Sequence, residues 1–546
     1  MKNIVKFLSL SVLGLAIASC GSPEHMIDAA ESVNANIKCQ PEVLEVVAGQ
    51  INATVTVNYP DGYFHPQAIL EVTPVIVYEG GEAKMKPFVF QGENVKDNYQ
   101  VVPKKGASIT KKVSFEYVPG MEKSYLELRG VLRHKAKRAS LPTVKVADGA
   151  NTTYMLVNKT GKIDYKADNY QDVIAQTAEG QILYRINSAD VRNTELKSQS
   201  IKDFQAALEE IKANERMTVV STDVIAYASP DGKEEDNAKL SDNRSKSAEK
   251  AYGQIVKKSL DGTPVNVTSV GEDWEGFQEL VAASDLEDKE LIIRVLSMYS
   301  DPAIREKEIR NMSAVYQSLA QEVLPELRRA RFIANVEFEN YTTEELLDLL
   351  DNNIDILDEE ALLHVATLVK DNDDKLAIYR QAISKYDSAR AKYNLGVTYV
   401  NMGRLKDAKK ALEGLEQDED WCNAMGVIAM REEDFNAAAE YLAYSNNATA
   451  VENAAVIDII DGEYAAAAAK LAGKDTYNAA LAQLLAGNNA PAAALDCECP
   501  NAAYLRAVAA ARMGQSSAVK SNLETAKADS KLAERATKDV EFAQYR

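Results

Sequence analysis

From about Thr342 to its end the chain carries only helical patterns, and these patterns repeat. Each clear copy has small residues where two helices would cross and a leucine near the end of the second helix. The clear copies contain Gly396, Ala408 and Leu412, then Gly426, Ala438 and Leu442, and weaker copies surround Gly462, Gly487 and Gly514. A short unit of this kind buries its apolar face by stacking on its neighbours. Residues 342–546 are therefore predicted to form an all-α solenoid.

The first copy, Asn394-Leu395-Gly396 with Tyr399 and then Met402-Gly403, resembles a tetratricopeptide repeat. In that family the Leu-Gly and alanine positions let two helices approach, and the tyrosine fills the gap between them. The period of about 25 to 30 residues is shorter than the family's usual length. The resemblance implies a concave face that binds peptides or a partner protein. A plain helical array without a ligand is the alternative.

Residues 41–160 have a different pattern, in which apolar and polar residues alternate over short runs. Such alternation is typical of half-buried strands, and Gly- and Pro-containing turns separate the runs. The clearest runs are Ile51–Tyr59, Ala68–Tyr78, Lys112–Val118 and Ser124–His134. Six to eight strands in this length predict an antiparallel β-sandwich of immunoglobulin-like type. That fold by itself names no activity.

Residues 181–338 alternate between strand and helix patterns, which predicts a mixed α/β domain with helices on one side of a small sheet. The predicted strands are Ile182–Ile186, Met217–Tyr227, Val265–Val270 and Arg331–Phe338. The predicted helices between them are Thr194–Asn214 and Glu234–Lys257, and further helices precede Arg329.

Arg244 is the most informative residue of this middle domain. It shares one face of the predicted helix with Asn237, Ser241 and Ala248. A cation on an apolar face is costly unless an anion meets it. The guanidinium could reach the Ser-Pro-Asp-Gly turn that precedes the helix, where free backbone N–H groups favour a carboxylate ligand. An internal salt bridge to Asp231 or Asp242 is the alternative.

The same stretch resembles the OmpA C-terminal-like domain, a peptidoglycan-binding module. The residues that carry the resemblance are Tyr184 to Ala189, Gly232, Asn237, Leu240-Ser241 and Arg244. The resemblance implies that Arg244 clasps a diaminopimelate carboxylate of the peptidoglycan stem peptide. It also implies that Asn237 lines the same pocket. Bidentate pairing of a guanidinium with a carboxylate fits that chemistry.

Two positions depart from the family pattern. Ser229 and Arg185 stand where the family has acidic residues that meet the ammonium group of the ligand. Asp231 could supply the missing carboxylate from within the same loop. The connection from Gly271 to Tyr316 is also longer than usual, and it resembles a variant found in Bacteroidetes lipoproteins and fimbria-linked proteins. These departures favour a pocket that no longer binds the wall.

The first residues resemble a bacterial lipoprotein signal. A basic start is followed by an apolar run too short to span a bilayer and by Ile17-Ala18-Ser19-Cys20. Residues 1–19 are predicted to be the signal peptide, Cys20 the lipidated residue, and residues 20–40 a linker. The residues after Cys20 lack the acidic run of a surface-export tag. We therefore expect an outer-membrane anchor facing the periplasm.

Composition excludes several functions. The 546 residues carry a net charge of −20, which disfavours nucleic acid as a partner. Cys497 and Cys499 are too close in sequence for a favourable mutual bridge, so buried or idle thiols are predicted. No two of the four histidines have metal-ligand spacing, and no phosphate loop or nucleophile elbow is present. We predict no catalytic residues, no metal and no cofactor.

Two functions remain. The first is a non-enzymatic envelope lipoprotein that links the outer membrane to peptidoglycan, to partner proteins or to both. The alternative is an assembly scaffold of an outer-membrane secretion, pilus or protein-insertion machine with a degenerate OmpA-like domain.

Overall fold

The computed structural model describes residues 24–256, 260, 262–286, 289–311 and 313–546. The predicted signal peptide and Cys20 lie outside these residues. The described chain forms two compact units: one contains the residues up to Lys166 together with Ala389–Arg546, and the other is Ala167–Ser388. Each unit contains one of the two tryptophans, Trp421 in the first and Trp274 in the second.

The first unit begins with two short helices and an 11-stranded sheet. The sheet has the order β1-β3-β2-β11-β9-β4-β6-β7, with β10 on β9, β5 on β4 and β8 on β3. The elements are α1 (Glu24–Asp28), α2 (Ala30–Asn34), β1 (Lys38–Gln40), β2 (Val43–Val47), β3 (Gln50–Tyr59), β4 (Ile69–Tyr78), β5 (Gly81–Lys84), β6 (Phe88–Gly92), β7 (Gln100–Val102), β8 (Ala107–Glu116), β9 (Ser124–His134), β10 (Lys137–Ser140) and β11 (Val144–Asn151).

The four predicted runs all contain strands, but the sheet has eleven strands instead of six to eight, and it is mixed instead of antiparallel. The pairs β2 with β11 and β6 with β7 are parallel. No hairpin joins β2 to β11, which lie far apart in sequence, so alternating direction is not imposed on them. Part of the predicted linker is helical, since it contains α1 and α2. It also packs on the sheet domain: Met26 is fully buried, and its carbonyl accepts a hydrogen bond from the Tyr63 hydroxyl.

The second unit contains a four-stranded sheet in the order β12-β15-β13-β14. Only β13 and β14 are parallel. Apolar residues of α3, α4 and the strands form its core, and α5 to α8 build a second core around Phe277 and Leu319. The elements are β12 (Val173–Leu183), α3 (Gln199–Ala213), β13 (Met217–Ala228), α4 (Glu234–Val256), β14 (Val265–Glu272), α5 (Trp274–Ala283), α6 (Lys289–Met298), α7 (Pro302–Asn311), α8 (Ser313–Glu322) and β15 (Arg329–Glu339).

The predicted helix-rich region is confirmed after residue 342. Three helices belong to the second unit, and the others belong to the first. They are α9 (Thr343–Asn352), α10 (Glu359–Leu368), α11 (Asn372–Tyr386), α12 (Ala389–Asn401), α13 (Leu405–Leu412), α14 (Glu419–Arg431), α15 (Phe435–Leu442), α16 (Ala448–Asp461), α17 (Tyr464–Lys470), α18 (Tyr477–Leu485), α19 (Ala490–Ala493), α20 (Pro500–Arg512), α21 (Ser516–Ala526) and α22 (Ser530–Lys538).

Gly396→Ala is expected to lower the unfolding free energy of the first unit by about 2 kcal/mol, since overpacking a filled contact typically costs 1–3 kcal/mol. A Cβ at this position would lie 2.8 Å from Cδ2 of Leu412. Urea unfolding followed by Trp421 fluorescence, in a Trp274→Phe background, measures the change. Gly253→Ala in α4 of the second unit, where a Cβ meets nothing within 4 Å, is the control; followed by Trp274 fluorescence in a Trp421→Phe background, it should not destabilise its unit. A Gly396→Ala chain as stable as its parent would contradict the close helix contact.

The cysteine prediction is wrong at one pair. Cys497 and Cys499 are joined by a disulfide, and their Cα atoms are 5.4 Å apart, within the ordinary range for a bridge. Cys39 and Cys422 are buried free thiols, as predicted. Among the described residues, no helix is both long and apolar enough to cross a membrane.

Candidate functional site

Arg244 is fully buried in the second unit, on the inner face of α4. Its guanidinium donates three hydrogen bonds to backbone carbonyls: Nε to Ser188 at 3.0 Å, Nη1 to Tyr227 at 2.8 Å and Nη2 to Arg185 at 3.2 Å. The ring of Tyr184 lies 5.0 Å from the guanidinium carbon. Burial lowers the pKa of Arg244 to about 10. Arg244 thus ties the ends of β12 and β13 to α4.

Ser229 and Asp231 lie in the loop that joins β13 to α4, and they contact each other. The Ser229 hydroxyl donates to Oδ1 of Asp231 at 2.7 Å. Nη2 of Arg328 donates to Oδ2 of Asp231 at 3.1 Å, and its Nε donates to the Ser229 hydroxyl at 3.3 Å. The Asp231 carboxylate, which could replace the family's acidic residue, is therefore already paired with Arg328 of the same unit.

Asn237 is also buried, and its side-chain amide is already hydrogen-bonded within the unit. Its Nδ2 donates to the Ser229 carbonyl at 3.2 Å and to Oε1 of Glu272 at 2.8 Å. Trp274 Nε1 donates to the other oxygen of Glu272 at 2.9 Å. The four residues singled out in the sequence thus lie around one loop, with their polar groups bonded within the unit. The exposed Arg185 side chain lies outside this network and contributes only its backbone carbonyl.

The longer connection after β14 lies over the same loop. Arg310 of α7 donates to the Asp231 carbonyl. The cavity beside Pro230 and Trp274 has a volume of about 10 Å³, which is close to the space that a single water needs. A peptide group would enter this pocket only if these side chains moved apart.

A second site, in the first unit, was not predicted. Residues 157–166, which we call the strap, have no regular secondary structure and hydrogen-bond to the helices α12, α14, α16 and α18. Four asparagines hydrogen-bond the strap backbone, and we call them the amide ladder: Asn394 on α12, Asn423 on α14, Asn453 on α16 and Asn478 on α18.

The ladder pairs with the strap as a neighbouring strand would. Oδ1 of Asn394 accepts from the Lys166 N–H at 2.7 Å, and its Nδ2 donates to the Lys166 carbonyl at 2.9 Å. Asn478 makes the same pair with Asn158, at 2.9 and 2.8 Å. Because a carboxamide has the donor and acceptor of a peptide group, each contact recognises main chain without regard to the side chain.

The centre of the ladder is buried and connected. Asn453 accepts from the Lys162 N–H at 2.9 Å and donates to the Lys162 carbonyl at 2.8 Å. The same Nδ2 donates to Oδ1 of Asn423 at 2.7 Å, and Asn423 donates to the Lys162 carbonyl at 3.2 Å. Gly161 beside them has φ +69°, and a Cβ there would lie 2.9 Å from Val427, so only glycine fits.

Strap side chains add ionic contacts. Lys162 Nζ lies 2.8 Å from Glu452. Lys166 Nζ lies 2.5 Å from Asp418 and 3.2 Å from Asp420. Burial alone would lower the pKa of Lys166, but the two carboxylates raise it above its usual value. The helical region therefore presents acidic groups beside two strap lysines that are four residues apart.

The sequence did carry a signal for this site. An asparagine recurs inside the alternate helices α12, α14, α16 and α18, and asparagine is rarely buried unless its amide is bonded. Asn394, Asn423 and Asn453 are each only 2% exposed. Aligning the sequences of these helices on asparagine as well as on glycine would have predicted a polar stripe along one face.

No metal cluster is found among the described residues: no three His, Cys, Asp or Glu side chains are placed to hold an ion. No protein-family model matches the chain. No curated protein matches it either. The two sites, a polar loop closed by its own side chains and a backbone-binding ladder, are therefore the observations on which a function must rest.

Proposed function

We propose that this chain is a non-enzymatic, lipid-anchored scaffold of the bacterial cell envelope. The amide ladder carries the proposal, because its seven hydrogen bonds to the strap backbone use helical repeats to hold an extended chain. Holding extended chain is a structural task that needs no reacting group. The lipid would be on Cys20, in the outer membrane, with the protein in the periplasm.

In this proposal the sheet domain is immunoglobulin-like, residues 181–338 are an OmpA-like domain and the later helices are tetratricopeptide-like repeats. The OmpA-like assignment is supported by Arg244, which donates a hydrogen bond to the Tyr227 carbonyl near the loop between β13 and α4, where the resemblance implies that it lies. The pairing of Asp231 with Arg328 and of Asn237 with Glu272 supports a degenerate pocket. The setting would then be an assembly machine for secretion, pilus building or membrane-protein insertion.

Peptidoglycan binding is the second candidate, and one observation favours it. Arg244 is a buried cation that forms no ion pair with a carboxylate among the described residues. A stem-peptide carboxylate would supply that missing charge. Asp231 would have to exchange Arg328 for the ammonium group of the ligand.

Sedimentation with purified sacculi distinguishes the two candidates. The wild-type chain is expected to stay in the supernatant, because separating Asp231 from Arg328 costs more than a surface ion pair would. Asp231→Asn, which removes the carboxylate, is compared with Asp242→Asn on the exposed part of α4 as its control. Wild-type protein that sediments, with Asp231→Asn left behind and Asp242→Asn unaffected, would instead establish wall binding at this loop.

A further inference from the structure

We propose that the amide ladder is a binding site for an extended, lysine-bearing peptide supplied by another protein, and that the strap is its intramolecular occupant. The inference rests on the proposed scaffold function and names the class of partner. The occupant would have two lysines four residues apart, with glycine directly before the first.

The ladder can accept foreign sequence because it recognises backbone. Asn394, Asn453 and Asn478 each pair with both the N–H and the carbonyl of one strap residue. Every residue except proline offers this pair. The paired strap residues, 158, 162 and 166, are separated by equal steps of four. A different extended chain in the same register would make the same seven bonds.

The acidic groups set the preference for lysine. Glu452 faces Lys162, and Asp418 and Asp420 face Lys166. The ring of Tyr393 lies 5.2 Å from Nζ of Lys166 and adds a cation–π contact. Glutamate at either position would place like charges side by side. Such a like-charge contact disfavours the wrong peptide, while the ion pair favours the right one.

The strap shields the site from partners. A segment attached to its own groove acts at an effective concentration in the millimolar range when its linkers are short. A free peptide with the same contacts therefore competes poorly until the strap leaves. The intact chain is expected to bind such a peptide weakly, and a chain without a competent strap is expected to bind it well.

The experiment replaces residues 157–166 of the full chain by glycines and serines with proline at positions 158, 162 and 166, which keeps the linker length and removes the three backbone N–H groups that the ladder binds. The probe is a fluorescent synthetic peptide, Val-Asn-Lys-Thr-Gly-Lys-Ile-Asp-Tyr-Lys, followed by anisotropy. The replaced chain is expected to bind this peptide at least tenfold more tightly than wild type does. A control peptide with glutamate in place of the last two lysines is expected to bind at least tenfold more weakly than the probe.

A replaced chain that keeps its circular dichroism but does not bind the probe overturns the inference, and so does equal binding of the two peptides. Should the replaced chain fail to fold, Lys162→Glu with Lys166→Glu in the full chain takes its place. This variant weakens the strap alone and is expected to take up the probe several-fold more than wild type; unchanged uptake overturns the inference. The scaffold proposal fails separately, if loss of the ladder amides leaves the strap as protected as before.

Discussion

Asn453→Ala is expected to lower the unfolding free energy of the first unit by about 3 kcal/mol, since each buried polar group left without a partner costs roughly 1–3 kcal/mol. The side chain is 2% exposed and bonds both polar groups of Lys162 and the Oδ1 of Asn423. Alanine leaves the Lys162 N–H and the Asn423 oxygen without these partners. Urea unfolding reported by Trp421, with Trp274→Phe removing the other tryptophan, measures the loss.

The same substitution should release the strap, and hydrogen exchange of residues 157–166 reports this directly. The amide of Lys162 is expected to exchange much faster, because local opening no longer breaks the central pair of bonds. Asn446→Ala is the matched control: that side chain is exposed in the same unit, and its loss should change stability by less than about 0.5 kcal/mol. Unchanged exchange in Asn453→Ala would mean that the ladder does not hold the strap.

Periodic patterns predicted the helices and strands well. The strand β9 occupies the range Ser124–His134 in which alternation indicated a strand, and α4 follows its prediction to within a residue. Both are long elements in which one face is buried, so the spacing of apolar residues records the geometry directly. The first strand of the second unit begins earlier than predicted, at Val173. The pattern missed this start because most of residues 173–177 are exposed and carry no alternating burial.

The strap could not be predicted in this way. It forms no regular element of its own, and its backbone bonds go to side chains hundreds of positions away. Such contacts leave no period in the strap sequence. Gly161 is the one local trace, since its positive φ and its closeness to Val427 both require glycine.

The candidate site was predicted in part. The helical spacing correctly put Arg244 and Asn237 on the buried face of α4. The partners of Arg244 could not be predicted, because three carbonyls from two separate strand ends meet there only in the folded unit. Arg328, which holds Asp231, likewise comes from a position about a hundred residues later in the chain.

Arg244→Ala is expected to destabilise the second unit by about 4 kcal/mol, because it removes a buried side chain and leaves polar acceptors unpaired. The carbonyls of Arg185, Ser188 and Tyr227 would lose their donor, and the contact to Tyr227 is fully buried. The stability of Arg244→Lys should lie between those of wild type and Arg244→Ala, since an ammonium keeps the charge but lacks the planar fork that reaches three acceptors. Trp274 fluorescence in a Trp421→Phe background follows this unit alone.

The matched control is Arg185→Ala, which removes an exposed side chain but keeps the backbone carbonyl that Arg244 uses. Its stability should stay within about 0.5 kcal/mol of the parent. A ligand-binding arginine with few internal bonds would give the opposite result, since its loss would spare the fold and abolish binding. A near-zero change in the stability of Arg244→Ala would therefore favour a role of Arg244 in binding peptidoglycan. A large loss of stability would show that Arg244 holds α4 to the ends of β12 and β13.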